Sequence, residues 1–145
     1  KVASLKNVKV FGFALGSDDG TLTMTDASDT ASPTNKIVQE GSLQPGTPIV
    51  TIEVRRGERL INESGLQAPN FIKIDVEGHE GDVIYGLGSI LGDKDLHTVA
   101  IEIHFAILDF RNEGHIPRVI VSELEKNSFT INWTDPSHII AVRRS

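Results

Sequence analysis

No cysteine occurs among the 145 residues. That one absence removes disulfides, thiolate zinc sites and cysteine nucleophiles together. No apolar run approaches the roughly 18 residues needed to span a bilayer, and no signal-peptide pattern opens the chain. These absences lead to the expectation of a soluble, cytoplasmic protein with no membrane partner. Positive charge is scarce: 14 Lys and Arg stand against 20 Asp and Glu, for a formal charge of -6. There is no basic stripe interleaved with aromatics, so nucleic acid is not expected as a partner. A Gly-rich phosphate fingerprint of the form G-x-G-x-x-G is also missing, because Gly86-Leu87-Gly88 falls inside a helical pattern. Hydrophobic residues reach 39%, lowish for a globular chain but above what disorder implies.

The most informative segment is Phe71-Ile-Lys-Ile-Asp-Val-Glu-Gly78, followed by His79-Glu-Gly-Asp-Val-Ile84. It reads as a short buried strand that runs out into acid and glycine and then turns into a helix. In open α/β sheets ligands bind outside the carboxyl ends of the strands, and carboxylates placed there are costly unless something compensates them. Asp75 and Glu77 are two apart, so in an extended chain both project to one face. A second strand, His97 to Phe105, sets Val99, Ile101, Ile103 and Phe105 on one face and Ala100, Glu102 and His104 on the other. Asp75, Glu77, Glu102 and His104 are therefore the candidate site residues. They also form an oxygen-and-imidazole set of the kind that holds a divalent ion; metal-free chemistry is the preferred expectation, and no metal ligands are assigned.

Elsewhere the pattern predicts a buried strand over Val8 to Leu15, a turn at Asp18-Asp19-Gly20 and a strand over Thr21 to Thr25. Loop composition covers Asp26 to Asn35 and Gly41 to Pro48. A strand follows at Ile49 to Val54, and a brief helix at Arg59 to Ser64 is stopped by Gly65. Val83, Ile84, Leu87, Ile90 and Leu91 recur at helical spacing within a helix from about His79 to Leu91. Glu80 and Asp82 sit in its first turn, where the helix dipole favours acid, and are expected at the surface. Its three glycines each cost about 1 kcal/mol relative to alanine, which suggests close backbone approach. Pro117 opens a helix whose stripe is Ile116, Ile120 and Leu124. Phe129, Ile131 and Trp133 alternate as a strand, and the short Thr134 to Ser137 link returns His138 to Arg143 antiparallel.

The Lys73-Ile-Asp-Val-Glu-Gly78 strand end with its Glu-bearing helix resembles the signature of the FkbM family of S-adenosyl-L-methionine-dependent methyltransferases. Val99-Ala-Ile-Glu-Ile-His104 is similar to the family's next strand, ending Glu-x-His. Trp133-Thr-Asp-Pro-Ser-His138 with Ala141 and Arg143 resembles its closing hairpin, and Val54 to Ile61 the segment before the signature. The likeness runs from about Val8 onward, with Glu58 and Ser128 as mild departures. It implies an α/β fold: part of a Rossmann-like class I methyltransferase sheet, mostly parallel, closed by an antiparallel hairpin, in a single partial domain spanning 1–145. By this resemblance the chain begins near the family's third strand, and its start at Lys1 suggests a piece of a longer polypeptide. Ala14-Leu15-Gly16 would then lie near the adenine of the cofactor, with Asp75 beside its methyl group.

The resemblance further implies O-methylation of a small-molecule hydroxyl, on a sugar or a polyketide. Asp75 or His104 would orient the hydroxyl or take its proton, with Glu77 and Glu102 fixing either one. Two other functions compete: a non-catalytic remnant serving as a binding or assembly module, and a metal-dependent hydrolase. Each residue also has a plainer reading. Asp75 could be a helix cap, His104 a polar-face histidine near Glu102, and His79, His97 and His115 exposed loop residues. His138 could bond within its own turn, and Arg55, Arg56 and Arg59 could form a solvated charge cluster.

Overall fold

The computed structural model describes residues 5–25, 46 and 48–144. The chain divides into two compact units, one of Lys1–Ala14 with Asp19–Val54 and one of Leu15–Asp18 with Arg55–Ser145. Among the described residues no helix is long and apolar enough to cross a membrane.

In the first unit, strands β2 (Gly20–Thr25) and β3 (Ile49–Arg55) pair antiparallel, from Gly20 opposite Val54 to Thr25 opposite Ile49. The strand expected over Val8 to Leu15 shrinks to β1, Ala14–Leu15, at the boundary of the units. Val8, Val10 and Phe11 are exposed. Their β-branched and aromatic side chains favour a strand only where a pleated, half-buried surface receives them, and here none does. The loop expected at Asp26 to Asn35 lies outside the described residues, as does most of the one at Gly41 to Pro48.

The second unit carries a four-stranded sheet of β4 (Phe71–Ile74), β5 (Thr98–Glu102), β6 (Phe129–Trp133) and β7 (His138–Arg143), ordered β4-β5-β7-β6. β4 and β5 are parallel, and β7 is antiparallel to both β5 and β6. Three strands thus run one way, and the closing hairpin slots its return strand between two of them. Helix α1 (Gly57–Ser64) ends at Gly65 in the left-handed region, as a C-terminal glycine does. The crossover from β4 to β5 is α2 (Glu80–Leu87) followed by a 3-10 turn at Gly88–Gly92. The sequence suggests one helix there. The structure breaks it at Gly88, whose positive φ of 49° ends the α-helical hydrogen bonding.

The expected strand from His97 to Phe105 is shorter than its alternation suggests. It stops at Glu102, and helix α3 (Phe105–Phe110) begins three residues later with Phe105 exposed. Helix α4 (Ile116–Lys126) carries Pro117 in its first turn and buries Ile120 and Leu124 completely. The core lies on one sheet face. Ile74, Val99, Ile101, Ile139, Ala141 and Phe129 meet Val83, Ile84 and Leu87 of α2 and the α4 stripe there. Each large side chain so buried contributes about 1.5–3 kcal/mol.

Candidate active site

Strand register assembles the site. Lys73 lies opposite Ala100 and Ile74 opposite Ile101, which sets Asp75, the first residue past β4, beside Glu102, the last of β5. The antiparallel register then sets Glu102 opposite His138. Because side chains alternate, Ile74, Ile101 and Ile139 point into the core while Lys73, Asp75, Glu102 and His138 share the other face. His104 follows two residues after Glu102, where the strand gives way to the start of α3.

The resulting cluster is held by short polar contacts. Lys73 Nζ donates to Asp75 Oδ2 at 2.7 Å. His104 Nε2 stands 3.9 Å from Asp75 Oδ1 and 3.9 Å from Glu102 Oε1. The other Glu102 oxygen, Oε2, lies 3.4 Å from His138 Nε2. His138 Nδ1 is 2.9 Å from Asp135 Oδ1, which also accepts from the backbone N–H of Ser137 and of His138. Asp75, Glu102 and His104 therefore converge, with Lys73 and His138 flanking them.

Glu80 is the residue the sequence reading missed. Expected on the surface, it is 0% exposed in the first turn of α2. Its Oε1 accepts from the Gly78 N–H at 2.8 Å and lies 2.7 Å from His104 Nδ1. The reason is positional: Glu80 stands four residues before Ile84 and seven before Leu87, on the buried stripe of α2. That spacing was the available signal. The carboxylate fixes the imidazole through Nδ1 and leaves Nε2 on the side of Asp75 and Glu102.

Glu77 is not brought into this cluster. β4 ends at Ile74, and Glu77 adopts φ 49°, so the extended geometry that would have aligned it with Asp75 is absent. Gly78 follows at φ 89°, and a β-carbon there would sit 2.6 Å from Ile107 Cγ2. Only glycine fits that backbone and that space. Arg111 Nη1 locks the turn, donating to the Gly78 carbonyl at 3.1 Å and to His79 Nε2 at 3.0 Å. His79 in turn donates to Asp82 at 2.9 Å, so it is half-buried and structural, whereas His97 and His115 are exposed as expected. Arg56 is less solvated than expected, with Nη1 donating to the Ser17 carbonyl at 2.7 Å.

The electrostatics follow from these contacts. The Lys73 ammonium on Asp75 holds its carboxyl below the usual range, with the charges of His104 and His138 adding to the effect. The Ser137 N–H, with His138 and further bonds from the same turn, lowers Asp135 to about 2. Asp135, then Glu102, raises His138 above its ordinary value. Ala14 and Leu15 form β1, Ala14 half-buried and Leu15 exposed, and their apolar side chains add nothing polar to the cluster. An apolar groove of about 250 Å³ has Phe105, Val121 and Trp133 in its walls with Arg118, and the Phe105 and Trp133 rings lie 6.2 Å apart. Trp133 ends β6, which runs parallel to β4 and β5.

Carboxylates and an imidazole gathered at the carboxyl ends of parallel strands define the class: an α/β protein with a polar cluster at the edge where such sheets bind ligands. Comparison with known proteins gives the family. The methyltransferase FkbM domain matches residues 7–141, and the chain belongs to that family. It is 30% identical over 95 residues to the hexuronic acid methyltransferase AglP of Haloferax volcanii, an alignment covering 66% of this chain and 36% of that protein. The chain thus spans about a third of the length of that relative. No solved structure matches it.

Proposed function

We propose that the chain serves S-adenosyl-L-methionine-dependent O-methylation of a small-molecule hydroxyl, on a sugar or a polyketide, with an acidic sugar favoured. The convergence of Asp75, Glu102 and His104 at the strand tips of an FkbM-family domain is the observation that carries this reading. Asp75, kept ionised by Lys73, offers negative charge to a sulfonium. When bound, adenosylmethionine supplies an electrophilic methyl group. The chain's own residues then orient the hydroxyl oxygen in line with that group, and the cluster withdraws the hydroxyl proton as the oxygen becomes an ether. Glu80 acts one step back, fixing His104.

AglP's hexuronic acid favours an anionic sugar as acceptor. The Phe105–Trp133 groove offers flat aromatic faces that suit a sugar ring, with Arg118 and Glu125 both in its wall. Calorimetric titration with adenosylmethionine, followed by transfer of labelled methyl to glucuronosides, tests the reading. Asp75→Asn is expected to retain the fold and lower turnover by about 100-fold or more. Trp133→Ala is expected to raise KM roughly tenfold with kcat little changed, the mark of lost uniform binding. Absence of cofactor binding even by a polypeptide that includes the sequence upstream of Lys1 would favour the non-catalytic binding module instead.

A further inference from the structure

We propose that Asp75, Glu102 and His104 bind a divalent metal ion. The argument rests on which atoms are already engaged. Asp75 Oδ2 is held by Lys73, and Glu102 Oε2 faces His138. The inner atoms, Asp75 Oδ1, Glu102 Oε1 and His104 Nε2, remain. Both oxygens are 3.9 Å from Nε2, and one ligand atom from each of the three residues lies within 4.8 Å of the others. At 3.9 Å neither contact is a hydrogen bond. Ligands of one ion with bonds of roughly 2.0–2.4 Å stand between about 3 and 4.8 Å apart, which is this spacing.

A second observation comes from outside the trio. Glu80, sealed from water, takes the Nδ1 proton of His104 at 2.7 Å, and its other oxygen is buried without a partner. A histidine that binds metal through one nitrogen characteristically donates the other N–H to a carboxylate. With Nδ1 donating to Glu80, the Nε2 atom and two carboxylate oxygens face one another, an arrangement that a divalent cation satisfies. Lys73 and His138 bind the outer oxygens and leave the inner point open. The Asp75 and Glu102 side chains are 41% and 32% exposed, so water or a hydroxyl can complete the coordination. Two oxygens and one imidazole suit a cation between magnesium and zinc in hardness, such as manganese. An alcohol oxygen bound to it would shed its proton to solvent more readily, with the three residues acting through the ion rather than as bases.

The role in methyl transfer rests on the function proposed above, whereas the site does not: Mn2+ binding is measured without cofactor or acceptor, so either idea can fail alone. Titration of the chain with Mn2+, followed by loss of the six-line electron paramagnetic resonance signal of the free ion, should show one saturable site. Glu102→Gln and His104→Ala should each weaken binding at least 100-fold, with circular dichroism confirming the fold. Glu80→Gln, which leaves the trio intact, should weaken it by about 10–100-fold. In the unmutated chain Mn2+ should broaden the imidazole resonances of His104 before those of His97 and His115. An unchanged Mn2+ signal, wild-type affinity in Glu102→Gln and His104→Ala, or broadening that starts at His97 or His115 would overturn the proposal.

Discussion

A carboxylate withdrawn wholly from water is among the most expensive residues a small domain can keep, and Glu80 is one. Its two hydrogen-bond partners, the Gly78 N–H and His104, explain how the cost is offset. Glu80→Ala should therefore lower stability in urea melts by about 1–3 kcal/mol, since the buried Gly78 N–H and the half-buried His104 lose their partner. Glu80→Gln preserves an acceptor oxygen and removes the buried charge, so its stability should stay within about 1 kcal/mol of wild type. Its turnover should fall all the same, because the amide holds His104 less firmly. Asp75, Glu102 and His104 were legible in the sequence because their parity along two strands is readable without coordinates. Glu77 shares that parity, but the chain leaves the strand at Ile74 and a left-handed backbone turns it away. A sequence motif does not reveal the residue at which extended geometry ends.

Among the elements, α2 shows how a local preference yields to packing. Alanine is the better helix former by about 1 kcal/mol, yet a β-carbon at Gly86 would collide with the Gly16 carbonyl oxygen. Gly86→Ala should accordingly destabilise by about 1–3 kcal/mol, read as a lowered thermal midpoint. The suspicion that this helix's glycines admit neighbouring backbone was right at Gly86. Gly88 meets the side chain of Glu58 and ends the α-helix. The β6–β7 hairpin carries a pH response. His138 is raised above 6.5, so its contribution is complete below about pH 6.5 and is lost as pH rises through the folded value. Asp135 is lowered from 3.8 to about 2, so its contribution is present above about pH 3.8 and is lost as pH falls through 2. The turn is thus best held between about pH 4 and 6.5. An NMR titration of the His138 ring should show a midpoint above 6.5, and Asp135→Asn should bring it down.

For the whole molecule, one side chain ties distant parts of the second unit together. Arg143, at the end of β7, donates to the carbonyls of Leu96 at 2.7 Å, Asn127 at 3.0 Å and Leu91 at 2.6 Å, and its guanidinium lies 4.5 Å from the Phe129 ring centre. Charged hydrogen bonds of this kind are worth about 1.5–3 kcal/mol each. Arg143→Met should remove at least about 3 kcal/mol in denaturant melts without moving the strand tips. As part of the closing hairpin pattern this arginine was visible in the sequence. Its three carbonyl partners were not, because they lie 16 to 52 residues away along the chain.

The sequence alone determined the parallel unit around Asp75, the closing hairpin and the family, because hydrophobic period, turn chemistry and motif wording are local and survive without coordinates. Tertiary structure decided the rest. It exposed Val8, Val10 and Phe11, cut two elements short and buried Glu80 behind His104. Each of those outcomes depends on which surfaces meet across dozens of residues, and free energy at such contacts outweighs the propensity of any one stretch.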